Sequence, residues 1–517
     1  AYPVRFEGRE PGALGGLDAL LGFGPAAIGA AERSPGIPCL FYHGEERTAN
    51  TSQHVVFADH IALAPPLRRA QLTESRAAGF TPPSAAPADV VLATIDGCPA
   101  WVRRANEAGF HDHVAIAPDE LATGEALRSR LAPERCLAVL SLAQFVRDLT
   151  GERRWQLPST RAAFVIDDPN LRRPTYGHIS YEELSGSAAV HNYHVSIAMV
   201  PLDARPAHPR AVALFRDRQE QISLCIHGND HYGGELARMR SEDEGLAHVA
   251  QALRRVQSFE RRTEIAVDRV MVPPHESMSR LAVAALLACG YEAFAGTRTF
   301  PWMTTSPDLS WLTRPTDADA LTGWGSSMLM PGGFPLLVRM PFEHAREEVV
   351  LRAFLGQPVV LYGHHDVMEH GPGGLESAAT AINRLGDIQW SSLAGIARGA
   401  VEWRRSGNVL QLRMLGRRVQ FDVPSWAGEV VIDTTDLALP ESARLLVRGC
   451  GIEKTTFGAD TPARLPIARS GRLQLSLGAA VDAQLVPAPP RRLRPVARRL
   501  AAEARARHVA GRRRRRT

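Results

Sequence analysis

Seven short apolar runs between about Arg161 and Arg398 constrain this chain most: "AAFVID", "YHVSIAMVP", "QISLCIH", "RVMVPP", "YEAFAG", "LLVRMP" and "PVVLYGHH". Helix-patterned segments, such as "EDEGLAHVAQALRRVQSFERR" and "MSRLAVAALLACG", lie between several of them. Continuous apolar runs, too short for core helices and separated by helical segments, read as parallel strands covered on both faces. Most of the runs end on polar residues. In α/β barrels the C-terminal strand ends and the loops after them build the site. The pattern therefore predicts an α/β fold, a closed or distorted (β/α) barrel over residues 160–400.

A chain of 517 residues exceeds one core. Residues 1–155 carry strand-like runs ("CLFYHG", "HVVFAD", "DVVLATID"), a hairpin signal at Asp96-Gly97 and a helix closed by Gly151. They predict an N-terminal α/β accessory domain with no nucleotide loop or catalytic signature. Residues 408–487 alternate in short runs such as "NVLQLRML" and "GEVVIDTT", which predicts a β-sandwich-like domain. Residues 488–517 form an Arg-rich tail expected to be disordered or weakly helical, with "VARRLAAEARARHVAG" as the segment able to form a helix before five consecutive arginines. From Arg491 onward it holds 12 arginines and one acid, Glu503. The formal net charge is +5, yet the rest of the chain has 48 basic and 54 acidic residues. Basicity is thus a property of the tail. It suits contact with an anionic polymer or membrane surface, and the body offers no surface for specific nucleic-acid recognition. Six scattered cysteines without a CxxC pair exclude a cysteine zinc site. The stretch "LGGLDALLGFGPAAIGAA" is broken by Asp18, glycines and a proline, so it reads as loop and helix, not a membrane span.

The strand ends collect the chemistry. "FVIDD" ends on Asp167 and Asp168, "HGNDH" holds His227 and His231, "VPPHES" holds Pro274, His275 and Glu276, and "YGHHD" holds His364 and His365. Two imidazoles four residues apart can bind one ion, and imidazole with carboxylate suits zinc and its first-row neighbours. One aspartate would complete a three-ligand site with a position left for water; the other would act as a base on that water. Adjacent strand residues point different ways, so the pair can serve two partners. With 18 histidines in the chain, HxxxH alone carries little; the joint occurrence at strand ends carries more. Asn170 fits either a substrate contact or a turn cap. His191 and His194 read as strand-start residues, and Ser277 as a helix N-cap. Trp302, Trp311 and Trp324 fit a sugar platform or core packing.

The segment resembles the polysaccharide deacetylase family with the NodB-homology fold, as a divergent member. The resemblance rests on "FVIDD", "HGNDH" and "VVLYGHHD", and covers about 240 residues. It implies Asp167 as general base, Asp168, His227 and His231 as metal ligands, and His364 or His365 as general acid. Substrate contacts would fall on Asn170, Pro274, His275 and Glu276. The family's Arg-x-Pro-Tyr motif, whose arginine steadies the base, is replaced by "VPPHE", with Val272 in the arginine's place. Its Asp-Trp motif has no counterpart in order; "GDIQW" lies after the histidine motif.

The expected function is metal-dependent hydrolysis of an acyl group on a carbohydrate or polysaccharide. The ion would be divalent, zinc first, with cobalt, nickel or iron as alternatives. The acid histidine would be held charged by Asp366 or Glu276. Two other readings stand beside this one: hydrolysis of another non-peptide C–N bond in a small amide or ureide, and a non-catalytic carbohydrate-binding protein that retains the metal pocket. No signal-peptide pattern is visible, which points to the cytoplasm; the resemblance points to the envelope or export.

Overall fold

The computed structural model describes residues 18–24, 37–44, 52–74, 80–106, 109–118, 136–156, 159–297, 325–330, 332–344, 346–437, 439, 443–458, 462–478, 480–490 and 493–513. Trp302, Trp311 and Trp324 lie outside them. The chain divides into two compact units.

The first unit is a seven-stranded sheet drawn from the first 156 residues. Cys39–Tyr42 runs parallel to Leu20–Phe23 and to Gly109–Val114. Cys98–Asn106, Val90–Ile95, Gln53–Phe57 and Gln71–Glu74 extend it antiparallel. The hairpin expected at Asp96-Gly97 is present, with positive φ at both residues, as a type I′ turn requires. The helix Leu137–Thr150 stops at Gly151, which takes φ 47°. Buried Glu74 accepts from the backbone N–H of Cys136 and Leu137 at that helix's start.

The second unit carries the barrel. Its strands are β1 (Thr160–Asp167), β2 (Val195–Met199), β3 (Ile222–His227), β4 (Val267–Val272), β5 (Ala293–Gly296), β6 (Phe334–Pro341) and β7 (Val359–Gly363). All neighbouring pairs are parallel, and β1 pairs with both β2 and β7, so the ring closes. Helices α1 (Tyr181–His191), α2 (Pro209–Asp217), α3 (Glu242–Thr263) and α4 (Arg280–Ala288) follow β1 to β4 in turn. Their starts are written in the sequence. Ser180, Ser241 and Ser279 each accept from the N–H three residues on, at Glu183, Glu244 and Ala282. The cap of α4 is therefore Ser279; Ser277 instead donates to the His275 carbonyl.

The barrel interior is packed by Ala163, Val165, Ala198, Cys225, Val270, Val272, Leu337 and Val360, all nearly inaccessible. These residues fix the inward parity of each strand, because side chains alternate faces. Extending that parity to the C-terminal ends points Asp167, His227 and Arg339 into the barrel mouth.

Two four-stranded sheets follow within the same unit, one from Val401–Ser406, Val409–Met414, Glu429–Asp433 and Ala463–Pro466, the other from Arg418–Val423, Gly471–Leu477, Arg444–Gly449 and Ile452–Gly458. A single apolar cluster, including Leu410, Leu412, Val430, Val447 and Leu475, fills the space between them. Of the two expectations for the tail, the helical one describes Leu493–Arg513, which is a helix. Its burial explains this. Pro495, Arg499, Glu503 and Ala506, spaced by three or four, are buried although the rest of the helix is largely exposed. Among the described residues, no helix is long and apolar enough to cross a membrane.

Candidate active site

β1 delivers Asp167 as its last residue, and Asp168 follows with φ 83°. That backbone conformation costs a non-glycine residue about 1 kcal/mol or more. His231, His275 and Glu276 also have φ between 52° and 57°. Such strain persists only where surrounding contacts enforce it, and here they can be named. Glu235, whose side chain is 3 % exposed, accepts from the N–H groups of Asn229, Asp230 and His231 at 2.8, 2.9 and 3.0 Å. Burial works to raise its carboxyl, but His248, Asp230 and the N–H groups of Asn229 and Asp230 hold it below the usual carboxylate range. Gly228 must be glycine: it takes φ 63°, and a Cβ there would lie 2.1 Å from Glu235 Oε1 and 2.6 Å from Pro274 Cγ. The "HGNDH" turn is thus a loop folded around one carboxylate.

That turn brings two imidazoles together. His227 and His231 have ring centroids 4.8 Å apart, and their ligand atoms lie within 4.8 Å of each other and of an Asp168 oxygen. His227 Nδ1 donates to the Val272 carbonyl at 2.9 Å, which leaves Nε2 as its ligand atom. Val272 therefore orients His227 through its backbone carbonyl. His231 Nε2 is 3.7 Å from Asp168 Oδ1. Burial and nearby His227 push the His231 imidazole down to about 4, against the pull of Asp168, so it is a neutral donor at ordinary pH. A carboxylate and two imidazoles converging in this way fit a divalent first-row ion.

Asp167 has a different partner. Arg339 Nη1 donates to Asp167 Oδ1 at 2.8 Å, and Arg339 Nη2 bonds Glu276. The guanidinium is 1 % exposed and lies 4.2 Å from the Tyr362 ring centroid. Burial works to raise the Asp167 carboxyl, but Arg339, His227 and His364 together hold it below the usual carboxylate range. An arginine absent at Val272, the last residue of β4, is thus present on β6 as Arg339. Its signal was an arginine on the inward parity of "LLVRMP": a charge buried in a barrel strand demands a carboxylate.

The two adjacent histidines separate by the same parity. Tyr362 and Gly363 pair with Val165 and Ile166, so His364 stands one step on, level with Asp167. His364 is exposed at the mouth. His365 turns the other way and packs on Gly177, where a Cβ would lie 2.5 Å from its ring, with His178 and Tyr176 at 5.4 and 6.0 Å between centroids.

The residues expected at substrate divide. His275 is exposed with its ring 4.8 Å from that of His231. Pro274 is buried beside Gly228. Glu276 spends its carboxylate on Arg339 and on the Thr297 N–H, the latter at 2.7 Å, so it is a brace for the arginine and not the partner of an acid histidine. Asn170 is 2 % exposed and works as a turn brace: Oδ1 accepts from Arg172 N at 3.1 Å and Nδ2 donates to Glu503 at 2.8 Å. His194 is buried between Glu220 and Ser223, away from the mouth.

Sequence inspection missed one further residue. Arg499, from the C-terminal helix, donates through Nη1 to Asp168 Oδ1 at 2.8 Å, through Nε to Asp203 Oδ2 at 2.6 Å and through Nη2 to the Asp168 carbonyl at 3.3 Å. Burial opposes the Asp168 charge, but His227, Arg499 and His231 hold its carboxyl far below the usual range.

No family model matches the chain, and no curated protein matches it. Solved structures similar to it include a polysaccharide deacetylase candidate from Mycobacterium smegmatis, at 13 % identity and TM-score 0.33 over 47 % of this chain and 94 % of that one. A family 4 carbohydrate esterase from Streptomyces lividans is similar at 10 % identity and TM-score 0.26, over 46 % and 94 %. A CE4 family pseudoenzyme from Bacillus anthracis is similar at 12 % identity and TM-score 0.27, over 47 % and 66 %.

Proposed function

We propose that this chain is a divergent polysaccharide deacetylase: a metal-dependent hydrolase that removes an acyl group, acetyl in the first instance, from an amine or hydroxyl of a carbohydrate. The observation that carries the reading is the division of labour between two adjacent carboxylates. Asp167 faces a buried arginine, and Asp168 faces two histidines. Asp168, His227 and His231 would hold the ion. When bound, a divalent ion supplies Lewis acidity toward a carbonyl oxygen and lowers the pKa of a water.

The chain's own residues account for the rest. Asp167, kept ionised by Arg339, accepts a proton from the water as its oxygen attacks the acyl carbon. Arg339 cannot itself take that proton, since its guanidinium stays charged at any working pH; it fixes the carboxylate's orientation. His364, level with Asp167 across the β1–β7 pair, donates a proton to the leaving nitrogen or oxygen as the acyl bond breaks. The products are the free amine or alcohol and a carboxylate.

Two variants test this directly. His227→Ala should lose bound zinc and turnover together, read by metal analysis and by acetate release from a panel of acetylated sugars. Asp167→Asn should retain the metal and lose turnover by at least two orders of magnitude. Retained turnover in Asp167→Asn would sink the assignment of the base.

A further inference from the structure

The C-terminal helix reaches into the site just described. Four buried positions, Pro495, Arg499, Glu503 and Ala506, form its inner stripe. Two of them are charged, and both bond residues that β1 presents at the mouth: Arg499 bonds Asp168, and Glu503 bonds Asn170. Glu503 is the only acid after Arg491, and it lies one helical turn from Arg499. The helix is otherwise weakly held. Leu493, Val496 and Leu500 are exposed by 84 %, 41 % and 56 %. A cavity of about 460 Å³ lies along it, lined in part by Arg172, Pro174, Tyr176, His208 and Arg507. An element with few buried apolar contacts opens more readily than the core around it.

We propose that Arg499 and the metal ion are alternative occupants of the Asp168 carboxylate, so that the C-terminal helix is an autoinhibitory latch on the barrel mouth. This rests on the reading of Asp168, His227 and His231 as the ligand set. The argument is electrostatic. One guanidinium pairs with Asp168 and Asp203 together. It donates to the same Asp168 oxygen that lies nearest His231 Nε2. An ion shared by that oxygen and that nitrogen would stand within a few ångströms of a fixed positive charge, in a site where burial weakens screening. Loading the ion therefore drives the guanidinium out, and seating the guanidinium drives the ion out. The coupling is reciprocal: the factor by which Arg499 weakens the ion is the factor by which the ion weakens helix docking. Asp203 does not lose all compensation when the latch opens, because Arg172 Nη2 also contacts it, at 3.3 Å.

The test uses the full chain, with zinc as the probe and hydrogen exchange as a second readout. Arg499→Gln should bind zinc at least tenfold more tightly than the wild type. Glu503→Gln, which loosens the helix without touching any proposed ligand, should move affinity the same way by a smaller factor. Saturating zinc should speed amide exchange over residues 493–513 of the wild type at least tenfold while leaving β1 and β3 as protected as before. Unchanged or weaker zinc binding in Arg499→Gln, with β1 and β3 still protected, would overturn the latch, as would zinc-induced protection of residues 493–513. If Arg499→Gln fails to fold, Glu503→Gln and the wild-type exchange response decide alone. His227→Ala separates this idea from the one beneath it: zinc binding as tight as wild type in that variant removes the metal site itself, whereas its loss there with no Arg499 effect removes only the latch.

Discussion

Arg339 ties two carboxylates together inside the barrel. It bridges Asp167 and Glu276 while 1 % exposed. Removing one member of such a buried group leaves the others uncompensated, which costs roughly 3–5 kcal/mol. Arg339→Met should therefore lower unfolding free energy by about that amount and reduce kcat by about a hundredfold, with metal content retained. Arg339→Lys should recover part of the stability and little of the kcat, since an ammonium cannot hold two carboxylates in the guanidinium's planar fork. Urea unfolding and single-substrate kinetics read both; full kcat in Arg339→Met would show that Asp167 needs no steadying. The histidine pair gives a sharper contrast. His364→Asn should leave stability within about 0.5 kcal/mol, as for most exposed positions, and lower kcat by 10²–10⁴, as for a lost general acid. His365→Asn should do the reverse, because its ring fills the space over Gly177. If turnover falls only in His365→Asn, the assignment of the acid is wrong. The choice between these histidines was already present in the alternation of "VVLYGHH": Val360 and Tyr362 share the parity of His364. The inward parity of Arg339 marked a buried charge, but its partner Asp167 was not visible, because the bond joins residues 172 apart.

At the scale of elements, the β2–β3 pair stores a pH dependence. His194 precedes β2 and is 2 % exposed. Its Nδ1 donates to the Glu220 carbonyl at 2.9 Å, so Nε2 accepts from the Ser223 hydroxyl, also at 2.9 Å. Burial pushes this imidazole down to about 4, against the opposing Glu220 hydrogen bond. The sign follows from where protons bind. Between pH 4 and 6.5 the unfolded chain protonates this residue and the folded chain does not. Stability from this source is complete above about pH 6.5 and is lost as pH falls toward 4, a loss of roughly 3 kcal/mol. His194→Gln should flatten the fall in urea stability between pH 7 and 4 by about that amount; an unchanged slope would place the effect elsewhere. Elements of this kind were the most legible part of the sequence. Continuous apolar runs marked the strands, Gly151 marked a helix end and strand-end polar residues marked the mouth, whereas the cap read at Ser277 stands two residues on, at Ser279. A helix over the tail was legible as a possibility, but its docking was not, because 12 arginines mask a four-residue stripe whose burial depends on partners at Asp168, Asn170 and Asp203.

At the scale of the molecule, the barrel and the two sheets after it share buried polar contacts within one unit. Glu292, just before β5, has a side chain 1 % exposed. It accepts from Arg398 Nε and Nη2 at 2.6 Å each and from Arg418 Nη1 at 3.4 Å. Arg398 ends the last barrel helix, whereas Arg418 opens a strand of the second sheet pair. Other ties run the same way: Ser326 donates to Glu402 at 2.9 Å, and Arg417 donates to the Gly332 carbonyl at 3.0 Å. Polar contacts this specific hold only when both sides are folded, since each would otherwise leave a buried group unpaired. The barrel and the sheets should therefore open together. In hydrogen exchange, the slowest amides of β1, β3 and β7 and those of Val409–Met414 and Gly471–Leu477 should report one common opening free energy. Glu292→Ala should lower that value by about 2 kcal/mol in both sets. This is less than for a fully buried pair, because Arg398 and Arg418 can turn to water. A drop confined to the sheets would mean that they dock on a barrel which folds without them, and that the Arg-rich helix reaches the mouth from a base able to detach.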